Sequence, residues 1–294
     1  MRIVENSVEL INFNERGKKM EYCGRVCYKS DSNINDTSYI KFLQNIAKSG
    51  HTSVLEHERV IFKTDRVFAA TNQFSKYHSI TFDGSSAYVS ANVRAWLLNT
   101  DTSSLFYPFL QELYPFLFIN TASCGKSSSI KIVGEKDVPY EQRGYHDSKT
   151  FKIVASRGCT HQLVRHRVFS FSQQSQRYCN FSGEKFGHSI DFIMPIIDDV
   201  KEFSEAEKKV IKEEFKIAFS VDEERYFNLI ETYGLRPEDA RNVLPNAAAS
   251  IIVMTGTSNQ WSDFFTLRCD SHAQREIRDI ANKIKEILNN EKIN

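Results

Sequence analysis

Phe151-Lys-Ile-Val-Ala-Ser-Arg-Gly-Cys-Thr-His-Gln-Leu-Val-Arg-His-Arg167 passes from a strand pattern to a helix pattern within 17 residues. Phe151, Ile153 and Ala155 alternate along one face of a strand, and Thr160 to His166 reads as the helix it feeds. Towards the N-terminus, residues 3–13 are β-rich and predict one strand, and residues 15–28 and 37–48 predict helices. The second helix opens at Asp36-Thr-Ser and closes before Gly50. Residues 59–63 alternate as a strand, Ile80 to Phe82 and Ala87 to Val89 flank a hairpin turn at Asp83-Gly84, and Trp96 and Leu97 sit on a short helical stretch. Residues 120–147 read as surface loop. Towards the C-terminus, Ser204 and Glu207 have the spacing of a capping box, and Gly234 marks the end of the long helix they open. A short helix starts at Pro237, residues 247–255 predict a strand, and Ile277, Ile280, Ala281, Ile284, Ile287 and Leu288 mark a final amphipathic helix. Helices and strands intermix throughout, so the predicted class is mixed α/β of the α+β kind.

Composition narrows the functional classes. The 294 residues carry 38 Lys+Arg and 37 Asp+Glu, a net charge of +1 that speaks against a generally basic nucleic-acid binder. No apolar run reaches the length of a membrane span, and Met1-Arg-Ile-Val-Glu has no secretory-signal pattern. The six cysteines (23, 27, 124, 159, 179 and 269) show no CxxC spacing and are expected as reduced thiols in a cytoplasmic protein.

The near-neutral total conceals a local asymmetry. Lys149 to Gly183 contains no acidic residue but carries Lys149, Lys152, Arg157, Arg165, Arg167 and Arg177. Guanidiniums among Ser hydroxyls and Gln amides suit a compact anionic ligand with a hydrogen-bonding base edge. Phe169, Phe171 and Tyr178 could pack beside a heterocycle. The plainer alternative is a basic surface face, and a nucleic-acid strip with interleaved aromatics is another. His51 with His57 and His161 with His166 lack the i, i+4 helical spacing of zinc motifs, so no metal is expected. Ser175 has no visible His-plus-acid arrangement to make it a nucleophile.

Arg165-His166-Arg167 followed by seven residues and Ser175 is the RHR-x7-S signature, and it resembles that of the flavin-dependent thymidylate synthase family. Gln162, Arg177 and Tyr178 extend the match. Gly50-His-Thr-Ser-Val-Leu-Glu-His57 is similar to the family's upstream flavin segment, and Ala240-Arg-Asn-Val-Leu-Pro245 and Leu267-Arg268 resemble its two downstream arginine sites. The resemblance covers about residues 1–63 and 149–290. It implies a core with a mostly antiparallel central sheet and flanking helices. It also implies a discontinuous catalytic domain (1–63 and 149–290), an inserted subdomain (64–148) and a tail (291–294).

The activity implied is reductive methylation of dUMP to dTMP, with methylenetetrahydrofolate as carbon donor and NADPH as reductant, through bound FAD. The unrelated classical thymidylate synthase activates uracil with a cysteine that precedes a histidine, and no cysteine here does so. The resemblance instead assigns Arg268 to electrostatic activation of the pyrimidine near its N3 side. It places Gln162, Arg165, Gln173, Gln174, Ser175, Gln176, Arg177, Arg241 and Arg268 at dUMP. It places His51, Ser53, Glu56, Arg165, His166, Arg167, Gln173, Thr257, Asn259 and Asp263 at FAD. Asn259 stands where many members have Arg, Thr257 where many have Asn, and Gln173 replaces a frequent Glu. Ser90-Ala-Asn-Val-Arg-Ala-Trp96 resembles a segment of longer members. Family sites are shared within a homotetramer. Two rival readings stay open: a nucleotide- or nucleic-acid-binding protein without redox chemistry, and a related flavoprotein acting on another pyrimidine nucleotide.

Overall fold

The computed structural model describes residues 1–98, 104–118 and 125–291. Cys124 and residues 292–294 of the expected tail lie outside the described residues. The chain runs β1 (Arg2–Val4), β2 (Ser7–Leu10), α1 (Lys18–Val26), α2 (Ser38–Ser49), β3 (Arg59–Asp65), α3 (Arg66–Thr71), β4 (Ser79–Asp83), β5 (Ser86–Asn92), α4 (Val93–Leu98), α5 (Tyr107–Leu113) and β6 (Lys131–Val133). It continues through β7 (Lys149–Ser156), α6 (Arg157–Leu163), β8 (Ser170–Gln173), β9 (Asp191–Ile193), α7 (Glu205–Glu231), α8 (Pro237–Ala240), β10 (Ala249–Gly256), α9 (Ser258–Arg268) and α10 (Arg275–Glu291).

The central sheet has the order β2-β7-β10-β8, and all its pairings are antiparallel. Its middle strand β10 carries Ile252, Val253 and Met254, each fully buried, because both faces of the sheet are covered. On one face Phe151, Ile153, Ile252 and Met254 meet Trp261 and Phe264 of α9 and Ile277, Ile280, Ala281 and Ile284 of α10. On the other, Val253 packs on Cys23 and Val26 of α1. The buried Glu276 carboxylate locks α10 to the start of α6. It accepts from the Ser156 N–H at 2.7 Å and from Ser156 Oγ at 2.5 Å, while Ser156 Oγ caps α6 by accepting from the Cys159 N–H.

A second antiparallel sheet, β4-β5-β3-β6, packs Val60, Phe62, Val89 and Ala91 against Leu43, Leu55, Trp96, Phe106 and Leu110. Its strand β3 directly follows the 50–57 segment and pairs on both sides with strands from 79–133. The site-bearing loops therefore sit where one sheet hands over to the other.

Five local expectations need revision, the first being residues 120–147, expected as surface loop, which hold strand β6 paired with β3 and the buried Ile130, Val138 and His146. Residues 3–13 form two strands in different sheets: β1 pairs parallel with β9, and β2 pairs antiparallel with β7. The helix before the signature begins at Arg157 and ends at Leu163, because the Ser156 cap sets its start earlier. β8 lies inside the signature, and its buried face is made of Ser170 and Ser172, so it lacks the apolar alternation that marks a strand. α9 opens on a capping box of Thr257 and Gln260 that polar Ser258-Asn-Gln concealed.

The α10 contact makes a quantitative expectation. Ile284→Ala deletes a fully buried side chain and should cost about 2–5 kcal/mol in denaturant unfolding. The exposed neighbour substitution Lys285→Ala should stay within about 0.5 kcal/mol of the parent.

Candidate active site

Gly50, left-handed at φ +75°, closes α2 and turns the chain into a 3-10 turn over Thr52–His57. That turn ends on a fully buried imidazole. His57 Nδ1 lies 2.7 Å from Thr255 Oγ1 of β10, and its Nε2 lies 2.8 Å from Ser172 Oγ of β8. Thr255 Oγ1 in turn meets Thr150 Oγ1 of β7 at 2.9 Å. Burial, reinforced by the Lys19 charge, pushes the His57 pKa down to about 3, so the ring is neutral and structural at neutral pH. One histidine thus fastens the 50–57 segment to three strands of the central sheet, including the strand within the signature.

Two cavities open on either side of this junction. The first, about 490 Å³, is lined by His51, Ser53, Gln173 and Ser175, with Arg94, Tyr178 and an apolar wall of Phe42, Val54 and Phe171. Gln173 is held in place as its amide donates to Thr160 Oγ1 at 2.8 Å and Ser250 Oγ at 3.2 Å. Cys27 also faces this cavity, but burial pushes its thiol up to about 12, so it offers no thiolate near neutrality.

The second cavity, about 420 Å³, is lined by Glu56, Arg59, Lys76, Asp147, Arg167 and Thr257. Arg59 donates only to neutral oxygens: Ser90 Oγ at 3.0 Å, Ser79 Oγ at 2.7 Å, and the Ser90 and Tyr145 carbonyls. Burial lowers its pKa to about 10, and among the described residues it has no carboxylate within salt-bridge distance. Asp147 is occupied by the start of α9, accepting from the Ser258 N–H at 2.7 Å and from Ser258 Oγ. Three cations therefore face two carboxylates at the mouth of a helix N-terminus, with Asp147 engaged by the start of α9 and Glu56 paired with Arg94. That balance suits an anionic group such as a diphosphate.

The remaining candidates fall in two further places. Arg268 Nε donates to His166 Nε2 at 2.8 Å, so the middle residue of the Arg-His-Arg triplet orients the arginine at the end of α9. Burial, then the Arg268 charge, holds the His166 pKa below its ordinary value, which keeps that acceptor available. Arg177 Nε donates to Glu238 Oε2 at 2.6 Å, and Arg241 Nε donates to the Glu238 carbonyl at 3.0 Å, which brings these two distant arginines to one helix start. Gln174 lines a third cavity of about 300 Å³. Arg165 and Asp263 are exposed and Gln162 and Gln176 half-buried, and none lines these three cavities. Asn259 packs against Gly144, where any Cβ would collide with its side-chain oxygen. The sequence did not single out Arg59, Lys76, Arg94 and Asp147 as site residues. The one available signal was the Ser90–Trp96 segment that contains Arg94.

Fold and site together define an α/β protein in which two four-stranded antiparallel sheets and a small parallel pair frame adjoining clefts, the second rich in cations. The sequence model of the family described as thymidylate synthase complementing protein matches residues 9–95 and 144–291, and the chain belongs to that family. A flavin-dependent thymidylate synthase from Geobacter sulfurreducens is 42% identical over 137 residues, which is 46% of this chain and 54% of that one. One from Pyrococcus abyssi is 40% identical over 143 residues, 48% and 54% of the two chains. One from Thermococcus onnurineus is 35% identical over 185 residues, 57% and 69%. The matched region spans about half the length of the first two relatives.

The histidine junction makes stability depend on pH. A folded pKa of about 3 against an ordinary 6.5 means that the unfolded chain takes up the proton first. The His57 contribution is whole above about pH 6.5 and is lost as pH falls towards about 3. Thermal melts across that window should show falling stability. The substitution His57→Asn should flatten the dependence while costing about 2–4 kcal/mol at neutral pH, because Ser172 and Thr255 lose a buried partner.

Proposed function

We propose that this protein is a flavin-dependent thymidylate synthase, converting dUMP to dTMP with methylenetetrahydrofolate as carbon donor and NADPH as reductant. The observation that carries the proposal is the His57 junction. It brings the 50–57 segment and the Arg165–Ser175 signature, more than a hundred residues apart, to the two faces of one paired cleft. The names of the relatives supply the chemistry to be tested on that cleft.

FAD would be held by His51, Ser53, Glu56, Arg167 and Thr257, with Arg165, His166, Gln173, Asn259 and Asp263 contributing where subunits meet. The unpaired charge of Arg59 and the lysine at 76 add to the fit for its diphosphate, in place of the arginine that many members carry at 259. When bound, FAD would accept reducing equivalents from NADPH and supply hydride to the pyrimidine. The dUMP phosphate would meet Arg177 and Arg241, with Arg165, Ser175 and the amides of Gln162, Gln173, Gln174 and Gln176 completing the nucleotide site.

Uracil C5 is a poor nucleophile because its attack draws electron density out of the ring, and it improves when the ring first carries negative charge, which is delocalised onto N3 and O4. Arg268 is suited to stabilise that charge electrostatically, because its guanidinium is oriented by a histidine that burial keeps neutral. A cysteine adduct is disfavoured: the described thiols at 23, 27, 159, 179 and 269 are all pushed up by burial. Arg165 and Arg167 stand exposed with Val168 next in the chain, and Leu267 precedes Arg268; these two apolar side chains are 64% and 62% exposed. Such an apolar rim around cations supports a site completed by neighbouring subunits of a homotetramer. Among the described residues no helix is long and apolar enough to cross a membrane, and the proposed location, the cytoplasm, follows from the proposed small-molecule substrates. The segment 64–148 is proposed as an insertion that walls the cleft.

The test is a visible spectrum of the purified protein with added FAD, before and after NADPH and dUMP. A bound-flavin spectrum bleached by NADPH is expected, and no FAD uptake would overturn the proposal. Arg268→Ala should keep the flavin spectrum and lose about a hundredfold or more of dTMP formation. Turnover like the parent would remove its assigned role.

A further inference from the structure

We propose that Arg94 is a positioning residue, fixing the Glu56 carboxylate at the partition between the two larger cavities so that it is in place for the flavin. The assignment rests on the function proposed above, and it gives the Ser90–Trp96 segment a role.

Arg94 lines the first cavity and Glu56 lines the second. Arg94 Nη1 donates to Glu56 Oε1 at 2.5 Å, joining the two. Among the described residues this is the single hydrogen bond or ion pair to the Glu56 side chain, which leaves Oε2 as a free acceptor at the second cavity.

Ion pairs between long, mobile, exposed side chains contribute little. This pair differs in how its backbone is held. Asn92 closes β5 opposite Arg59, and the Val93 N–H donates to the Glu58 carbonyl at 2.9 Å. Asn92 Oδ1 caps the next turn by accepting from the Ala95 N–H at 2.8 Å. The indole of Trp96, fully buried, donates to the Val60 carbonyl at 3.2 Å. Asn92, Val93 and Trp96 are therefore tied to residues 58–60, immediately after Glu56, so donor and acceptor are held by one connected unit. Arg94 Nε is meanwhile buried with no acceptor among the described residues. A buried N–H without a partner costs free energy, so stability alone does not account for this placement.

The test uses the purified full chain, FAD titration followed by flavin fluorescence, steady-state turnover and thermal melts. Arg94→Gln should weaken FAD binding about tenfold or more while melting within a few degrees of the parent, the size expected for losing a hydrogen bond to a charged group. Arg94→Lys should recover part of the affinity, since it restores charge without the planar fork. Glu56→Gln should show a similar loss, and the double variant should bind no worse than the weaker single one. Losses that simply multiply in the double variant, or Arg94→Gln binding FAD as the parent does, would overturn the assignment. So would loss of binding that merely tracks unfolding. A parent protein that takes up no FAD would overturn the functional proposal and this assignment together, whereas a flavin-binding parent matched by Arg94→Gln overturns this assignment alone.

Discussion

The imidazole of His57 is the point on which the site's geometry depends. A buried histidine is stable only if both ring nitrogens find partners, and here they find the hydroxyls of Ser172 and Thr255 on two neighbouring strands. Because Thr255 also meets Thr150, the polar chain crosses three strands of the central sheet. The arrangement is directional in a way that apolar packing is not. A slip of one residue in β8 would turn Phe171, not Ser172, towards the ring and leave His57 Nε2 without its partner. The junction therefore fixes the register of the signature strand and the position of the 50–57 turn with one set of bonds.

Electrostatics follows from that scaffold. The acid-free stretch from 149 to 183 does not gather into a single basic patch. Lys149 and Lys152 pair with Glu291 and Glu9, and Arg177 pairs with Glu238. Arg165 and Arg167 have no such partner among the described residues, and Arg59 faces the same cleft as Arg167 from the second sheet. Pairing some cations and leaving others unmet concentrates positive charge at the cleft while the protein stays near neutral overall. The His166–Arg268 contact belongs to the same logic: a histidine kept neutral by burial orients a cation without competing with it.

Much of the fold was legible where apolar periodicity was strong. Ile277 to Leu288 marked α10, and Ser204 with Glu207 marked the start of α7, because helix faces and caps leave local signals. β8 and α9 were hidden for the opposite reason. Ser170 and Ser172 point inward to a polar junction, and Ser258-Asn-Gln opens a helix through capping bonds with no apolar stripe. Among the cavity-lining residues, Arg167, Gln173 and Ser175 were named by the signature from their order in the chain. Nothing local distinguished Arg59 or Lys76, whose importance arises from a strand pairing and a loop path that only the folded chain reveals. The segment around Arg94 was visible as a pattern, but its meaning required the contact with Glu56.

The central claim is that the paired cleft methylates a pyrimidine nucleotide by a flavin-dependent route. Release of tritium from dUMP labelled at C5 tests this most directly. The account predicts release with dTMP formation that requires FAD, NADPH and methylenetetrahydrofolate together. A flavin-loaded protein that forms no dTMP, or release that is unchanged when FAD is withheld, would contradict it.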